Sequence, residues 1–462
     1  MDVGGILRPQ GRPDFSMALQ PHREILGERA AAHLLRRAGF GGTPDEVRRY
    51  AAMHAEDAAS SLLKVPSADF VAPPSEVDVD GPIEKTDARD AELALQLWWL
   101  NRMLTSPAPL QEKMTLYFHG HFTSRSTRRF PRITYNQNAL FRQWATGNLR
   151  ELTRSVSKDP AMLIYLNGAN NVAAHPNENY ARELMEIFTL GVDNYSERDV
   201  RESARAWTGW HVIRRTATAR FDPSLHDYGT KTFLGRTGNF DGDDIVDIIF
   251  AQPQCARFFA TSLLNWFVYN DPETELVDSV AALLRDRNFE LTPVVGTILA
   301  SNIFYSRRAY RALVKSPVEF VIGTYKALGL PTVDQSALPA LTQMGQHLFY
   351  PPNVAGWPGG ANWLTSATMI ARQNFLTRLL GSQTLQGSSW LRAVPMTSKS
   401  AASVLAQTIL QEDVAPASLI ELEGYLGGSG SAALAALSAE NFEQRLSGAL
   451  YLTMATPAYQ LN

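Results

Sequence analysis

The chain has 462 residues, 45% hydrophobic and 19% charged, a balance that belongs to a folded protein with a sizeable core and excludes a disordered one. A net charge of −3 supplies no basic surplus for nucleic acid, and no run approaches the ~20 apolar residues that span a bilayer. Cys255 is the single cysteine, which excludes an intrachain disulfide and a cysteine-rich metal centre, so any metal would be held by His, Asp, Glu, Asn or water.

The first 20 residues lack a basic start followed by an apolar core, so no signal peptide is expected in them. Three regions are expected: an irregular arm over 1–24, a main helical domain over 25–380, and a C-terminal helical extension over 381–462 packed on it. A short helix is predicted over 29–38, stopping at Gly39-Phe-Gly-Gly-Thr-Pro44. Thr43, Pro44 and Glu46 form the cap, first position and third position of the next helix, which runs to about residue 63. A polar loop over 65–84 leads to a helix over 87–103, with Leu93, Leu97 and Leu100 marking its buried side.

The next helix begins near residue 110 and delivers Met114, Tyr117 and Phe118 to His119-Gly-His-Phe-Thr-Ser124. In a strand or loop the two histidines converge on one ion; on a regular helix they diverge by about 200°. Gly120 permits the turn that convergence needs. The alternative is two core histidines, each satisfied by a backbone or carboxylate partner. Arg125, Arg128, Arg129 and Arg132 follow, suited to an anionic substrate, to water, or to neutralising acids elsewhere. Helices are predicted over 134–144 and 149–157, then a short buried element over 159–166 and an Asn-rich turn over 167–171.

The stretch 175–191 is the one around which the chain is organised. Pro176 suits a first helical turn and Gly191 a helix end. Leu184, Ile187 and Phe188 form an apolar stripe, while Asn179, Glu183 and Glu186 share another face. Two carboxylates one turn apart call for a positive neighbour: a metal ion, Arg182, or an arginine from elsewhere. Ser196 and Asp199 then cap a helix over 197–210. Residues 212–221 read as a strand, and 221–235 hold a hairpin with His226, Asp227 and Lys231 close together, preferably as turn stabilisers. Asp241 to Asp244 precede a helix over 245–250, and Pro253 opens another that buries Cys255. Helices follow over 273–284, 292–299, from Lys315-Ser-Pro-Val-Glu-Phe320, and before residue 348. The loop over 350–363 carries Asn353, Trp357 and Trp363; the two tryptophans suit stacking on a sugar or plugging a core opening. A helix from about 366 to 379, a loop over 382–400, and Ala/Leu helices over 401–449 broken at Gly427 to Ser431 complete the chain.

Several of these blocks together resemble the bacterial family called domain of unknown function 1800. They are His33-Leu-Leu-Arg-Arg-Ala-Gly-Phe-Gly41, His119-Gly-His-Phe122, Asn177 to Gly191, Tyr195 to Val200, Ala206-Trp-Thr-Gly-Trp210, His226 to Gly235, Lys315 to Phe320 and Tyr350 to Trp357. The resemblance spans roughly residues 30–375. It implies an exported, periplasmic or envelope setting and a sulfatase-like protein partner. Members of the family commonly have Asn between the two histidines, a position held here by Gly120.

The expected fold is a mainly α, large multi-helical domain with long ordered loops and room for a small β-hairpin. The loops around 119–132, 167–178, 222–235 and 350–363 are expected to converge on one pocket. The functional expectation is a metal-dependent enzyme acting on an envelope polymer or glycan. His119, His121 and Glu183 would hold one divalent ion. Glu183 or Glu186 would act as general base, and His175 and His226 as proton-transfer groups. Arg125, Arg128, Lys231, Asn353 and Trp357 would bind a glycan or anionic polymer. The competing expectation is a non-catalytic envelope binding or assembly protein, in which histidines and acids are structural and the aromatic loops form the contact surface.

Overall fold

The computed structural model describes residues 18–65, 72–381, 394, 398–411, 416–427 and 439–462. The fold is mainly α. Its helices are, in order, α1 (Gly27–Ala38), α2 (Pro44–Ala51), α3 (Ala55–Leu63), α4 (Ala88–Thr105), α5 (Pro109–His121), α6 (Pro131–Gln143), α7 (Leu149–Ser157), α8 (Pro160–Tyr165), α9 (Asn179–Glu183) and α10 (Glu197–Ala206). There follow α11 (Gly242–Phe250), α12 (Pro253–Phe267), α13 (Thr274–Asp286), α14 (Leu291–Ala300), α15 (Pro317–Leu328), α16 (Ala337–Gln343) and α17 (Ser366–Gly381). The last are α18 (Ser398–Leu410), α19 (Pro416–Gly427) and α20 (Ala439–Met454).

The local signals for helix starts hold where a side chain closes its own cap. Thr43 with Glu46 and Ser196 with Asp199 both form reciprocal capping boxes, as do Asp241 with Asp244 and Ser316 with Glu319. The helix expected from Pro176 instead begins at Asn179. Asn171 Oδ1 accepts from the Asn177 N–H (2.8 Å) and Asn177 Oδ1 from the Asn179 N–H (3.0 Å), so side chains hold this segment in turns before the helix can start. In α4 Leu100 is fully buried as expected, beside the row Ala91, Leu95, Trp99 and Met103, whereas Leu93 and Leu97 are half-buried, because Trp99 and not Trp98 fills the core.

Between α10 and α11 lie two small antiparallel hairpins in place of one strand and one hairpin. β1 (Trp210–Ile213) pairs with β2 (Thr218–Phe221), and β3 (Lys231–Phe233) with β4 (Arg236–Gly238). The helix expected to reach Trp210 stops at Ala206 for this reason. Leu234 (φ 44°) and Gly235 (φ 77°) are both left-handed, the two-residue turn that matches strand twist.

Two apolar clusters fill the interior. One joins α1, α3, α5, α7 and the segments from α9 to α14; its members include Phe118, Phe122, Phe188, Phe259 and Leu263. The other joins α4, α15, α16 and α17 to the C-terminal helices, through Trp99, Phe320, Leu341, Leu405 and Leu450. α5 serves both, with Phe118 facing the first and Leu116 the second. The arm over 1–17, part of the 65–84 loop, most of the loop over 382–400 and the glycine run after Gly427 lie outside the described residues.

Candidate functional site

α5 stays helical through His121, so its two imidazoles leave on opposite sides. His119 enters the second cluster, 5.3 Å from the Trp99 ring, 5.2 Å from Phe349 and 5.4 Å from Trp357. Its Nε2 accepts the Phe349 N–H at 3.1 Å, so Nδ1 carries the proton. Burial pushes its pKa down to about 3. His121 faces the first cluster, stacked on Tyr117 at 5.7 Å and edge-on to Phe122 at 4.6 Å. Its Nε2 donates to the Phe188 carbonyl at 2.9 Å, and burial holds its pKa down at about 4.

This corrects the expectation of a His119–His121 ligand pair. Gly120 does not turn the chain. It keeps the helix regular while Gly356 (φ 79°) packs against its carbonyl, so closely that a Cβ on Gly356 would lie 2.4 Å from Gly120 O. Each Nε2 is occupied by backbone, and among the described residues no group of three or more His, Cys, Asp or Glu side chains is placed to hold a metal ion. The donor set of a divalent-ion site with Glu183 therefore does not fit, and no chemistry is routed through one.

The acidic helix departs from the expected geometry too. After α9 the chain widens into a π-helical turn, Leu184–Thr189. The N–H groups of Leu190 and Gly191 both turn back to Met185 O, at 2.9 and 3.0 Å. Glu186 accepts from the Tyr195 hydroxyl at 2.7 Å. Glu183 is half-buried, and burial followed by the charge of Glu186 raises its pKa. Arg182 is engaged elsewhere, with Glu197 at 2.6 Å and Glu178 at 3.3 Å. His121 does reach this turn, at a main-chain oxygen that the ending helix leaves unpaired rather than at a carboxylate.

The four loops expected to meet in one pocket meet in two pairs. The 119–132 and 350–363 segments are joined by His119 with Phe349, by Ser126 N–H to Phe349 O at 2.9 Å, and by Thr123 Oγ1 donating to Val354 O. The 167–178 and 222–235 segments are joined by Ala173 N–H to Leu225 O at 2.9 Å. In the latter pair His175 is exposed. His226 is buried against Phe221 and Tyr228, its Nδ1 2.9 Å from Thr208 O. Lys231 Nζ donates to Asp227 O (2.6 Å) and Gly229 O (3.1 Å), and Arg205 holds the Asp227 carboxylate at 2.7 Å. These residues brace a turn, the preferred reading of that trio, and they do not border the cleft formed by the other pair.

Arg125 and Arg128 lie over the Tyr350 ring, at 5.5 and 5.4 Å. Arg128 Nε donates to the Tyr350 hydroxyl (3.1 Å), which donates to Glu92 (2.7 Å); His347 stacks on Tyr350 at 4.5 Å, with its Nε2 3.4 Å from Glu92. Glu92 and His347 carried no sequence signal because each needs the other to be noticed. Asn353 is exposed and uses its Oδ1 to accept the Ala355 N–H in a turn.

Trp357 belongs to a cleft of about 290 Å³, walled by Tyr117, Trp266, Trp357 and Trp363. His121, Gly120 and Ile187 form one side, and Ser262, Ser316 and Gln346 supply polar groups. Tyr117 donates to Ser262 Oγ at 2.7 Å and packs 5.4 Å from Trp266, whose indole N–H has no partner among the described residues. From the sequence Tyr117 stood only as part of the helix leading to His119, and Trp266 was not singled out. The available signal was spacing: Tyr117 and His121, and Ser262 and Trp266, are each four apart on one helical face. A larger, shallower groove of about 680 Å³ runs from Gln254 to Val277 along α12 and α13, and none of the residues singled out from sequence lines it.

The fold and cleft define a mainly α protein with an aromatic-walled site at the meeting of two helix ends and one long loop. The chain belongs to the family described as protein of unknown function (DUF1800), which matches residues 33–461. Neither a curated protein nor a solved structure matches it. Among the described residues, no helix is long and apolar enough to cross a membrane.

Proposed function

We propose that this is a non-catalytic binding protein whose Tyr117–Trp266–Trp357–Trp363 cleft takes a sugar ring of an envelope glycan. The observation that carries the reading is the set of four aromatic walls around a space of about 290 Å³, lined among the described residues by no Asp, Glu, Lys or Arg. Aromatic faces stack on the apolar faces of sugar rings, while the Ser262, Ser316 and Gln346 side chains offer hydrogen bonds to hydroxyl groups. The envelope setting and a sulfatase-like partner belong to the same proposal and rest on the family resemblance.

The enzymatic alternative, metal-assisted attack on the polymer, draws no support from the positions of His119, His121 and Glu183. Co-sedimentation with isolated peptidoglycan sacculi tests the binding reading. The full chain is expected to sediment with the polymer, and Trp357→Ala is expected to weaken this at least about tenfold, the loss of one stacking wall. Equal sedimentation of the two proteins, or none by either, would overturn it.

A further inference from the structure

The His33-Leu-Leu-Arg-Arg motif has no part in the cleft, yet it opens the most highly charged piece of the interior. Arg36 and Arg37 of α1, Lys113 of α5, Lys315 before α15 and Arg372 of α17 are all buried, none more than 7% exposed. Among the described residues one side-chain carboxylate is paired with these five cations, Glu319 with Lys113, while the main-chain oxygen of Asn462 accepts from Arg37 at 3.3 Å. Arg36, Arg37, Lys315 and Arg372 have no side-chain carboxylate partner among the described residues. An uncompensated buried charge costs several kcal/mol, so these cations call for a counter-charge.

The hydrogen-bond inventory points the same way. Arg37 spends its Nη groups on the carbonyls of Phe267, Val268 and Ala309, and Arg372 on Lys315 O and Gln460. After these bonds, and that of Arg36 Nη1 to Gln411, Arg36 Nε and Nη2, Arg37 Nε and Arg372 Nε remain buried with no acceptor within hydrogen-bond distance among the described residues. The Tyr310 hydroxyl, beside Arg36, likewise has no partner within hydrogen-bond distance among them. The Lys315 ammonium lies 3.9 Å over the Tyr459 ring and has no hydrogen-bonding partner among the described residues. Burial, with the charges of Arg36, Arg311 and Arg372, drives its pKa well below the usual range.

We propose that Arg36, Lys315 and Arg372, with Arg37 behind them, form an anion site that takes a small tetrahedral oxyanion, a phosphate or sulfate group. The charges of Arg36 and Arg372 both act on the Lys315 ammonium, and Arg372 donates to the Lys315 carbonyl at 2.6 Å; an oxyanion would supply several acceptor atoms together with negative charge. None of Arg36, Arg37, Lys315 and Arg372 lines the aromatic cleft.

The test is thermal unfolding of the full chain at constant ionic strength, with sodium chloride exchanged for inorganic phosphate or for glycerol phosphate, alongside calorimetric titration of the folded protein with each. Phosphate is expected to raise the midpoint by about 2 °C or more relative to chloride. A response to inorganic phosphate alone marks a site for the free ion; a response to both marks one for a phosphate end group. In Lys315→Met the unpaired cation is gone, so the midpoint in chloride should rise and the phosphate response fall at least about tenfold. Identical midpoints in chloride and both phosphates with no calorimetric binding, or a Lys315→Met response equal to that of the unchanged protein, would overturn the assignment.

Discussion

The His121 Nε2–H donates to the carbonyl of Phe188 at 2.9 Å. That bond ties the end of α5 to the end of the π-helical turn and places Tyr117, His121 and Ile187 along one side of the cleft. His121 thus acts as a helix-end cap, with Tyr117 stacked on its face. Its removal leaves a buried carbonyl unpaired and a gap among Phe122, Phe188 and Phe259.

His121→Ala should therefore destabilise the protein by about 2–4 kcal/mol, measured by urea unfolding. Dialysis against a chelator should leave the midpoint of the unchanged protein where it was. A midpoint that falls on chelation and returns with a divalent ion would put a metal back into the account.

Acid should unfold the protein through the imidazoles of His33, His119 and His121, which burial holds below the usual range. The folded pKa values of about 3 for His119 and about 4 for His121 lie below the usual value near 6.5. The unfolded chain therefore binds protons that the folded chain refuses, and stability present above pH 6.5 is lost as pH falls toward 4. The slope is up to about 1.4 kcal/mol per pH unit for each ring. His119→Gln should flatten the stability profile between pH 6.5 and 4; a slope unchanged in that variant would show that His119 titrates normally.

Asp159 contributes with the opposite sign. It is buried, its Oδ2 accepts from Gln137 Nε2 at 2.8 Å and from the Met162 N–H at 3.1 Å, and burial raises its pKa to about 7. Its folded value exceeds the unfolded one, so the contribution is fully present below about pH 4 and is lost as pH rises through 7. Asp159→Asn removes this ionisation, so the variant's stability relative to the unchanged protein should improve between pH 5 and 8. No change in that difference, in chemical unfolding at the two pH values, would contradict it.

Gly120 and Gly356 meet, and their substitutions should differ sharply. A side chain on Gly356 is both strained at φ 79° and driven into Gly120 O, so Gly356→Ala should cost more than about 2 kcal/mol. A Cβ on Gly120 meets nothing within 4 Å and projects into a helix position that lines the cleft. Gly120→Asn should change stability by less than about 0.5 kcal/mol while reducing ligand binding. Thermal melts of both variants separate the two cases.

What could be read from the chain depended on the range of the interaction. Thr43 with Glu46 and Ser196 with Asp199 are closed within four residues, and both caps are where the spacing put them. The helical class, the hairpin region and a loop bearing Trp357 were legible in the same way. The histidine pair was misread because Gly120 looked like a turn, whereas its carbonyl is packed by Gly356, more than 200 residues away. The π-helical turn was invisible because its sequence obeys a normal helical stripe; its ending is completed by His121 from another helix. Trp266 and Tyr117 carried no site signal because the cleft exists only where α5, α12 and the 350–363 loop come together.

The most direct test of the binding account is titration of the purified full chain with soluble N-acetylglucosamine oligosaccharides and solubilised peptidoglycan strands, followed by tryptophan emission. The account predicts a saturable emission change with at least one of these glycans that is lost in Trp357→Ala and weakened in Gly120→Asn. Saturable binding with full strength in Trp357→Ala, or no binding of any glycan by the unchanged protein, would contradict it.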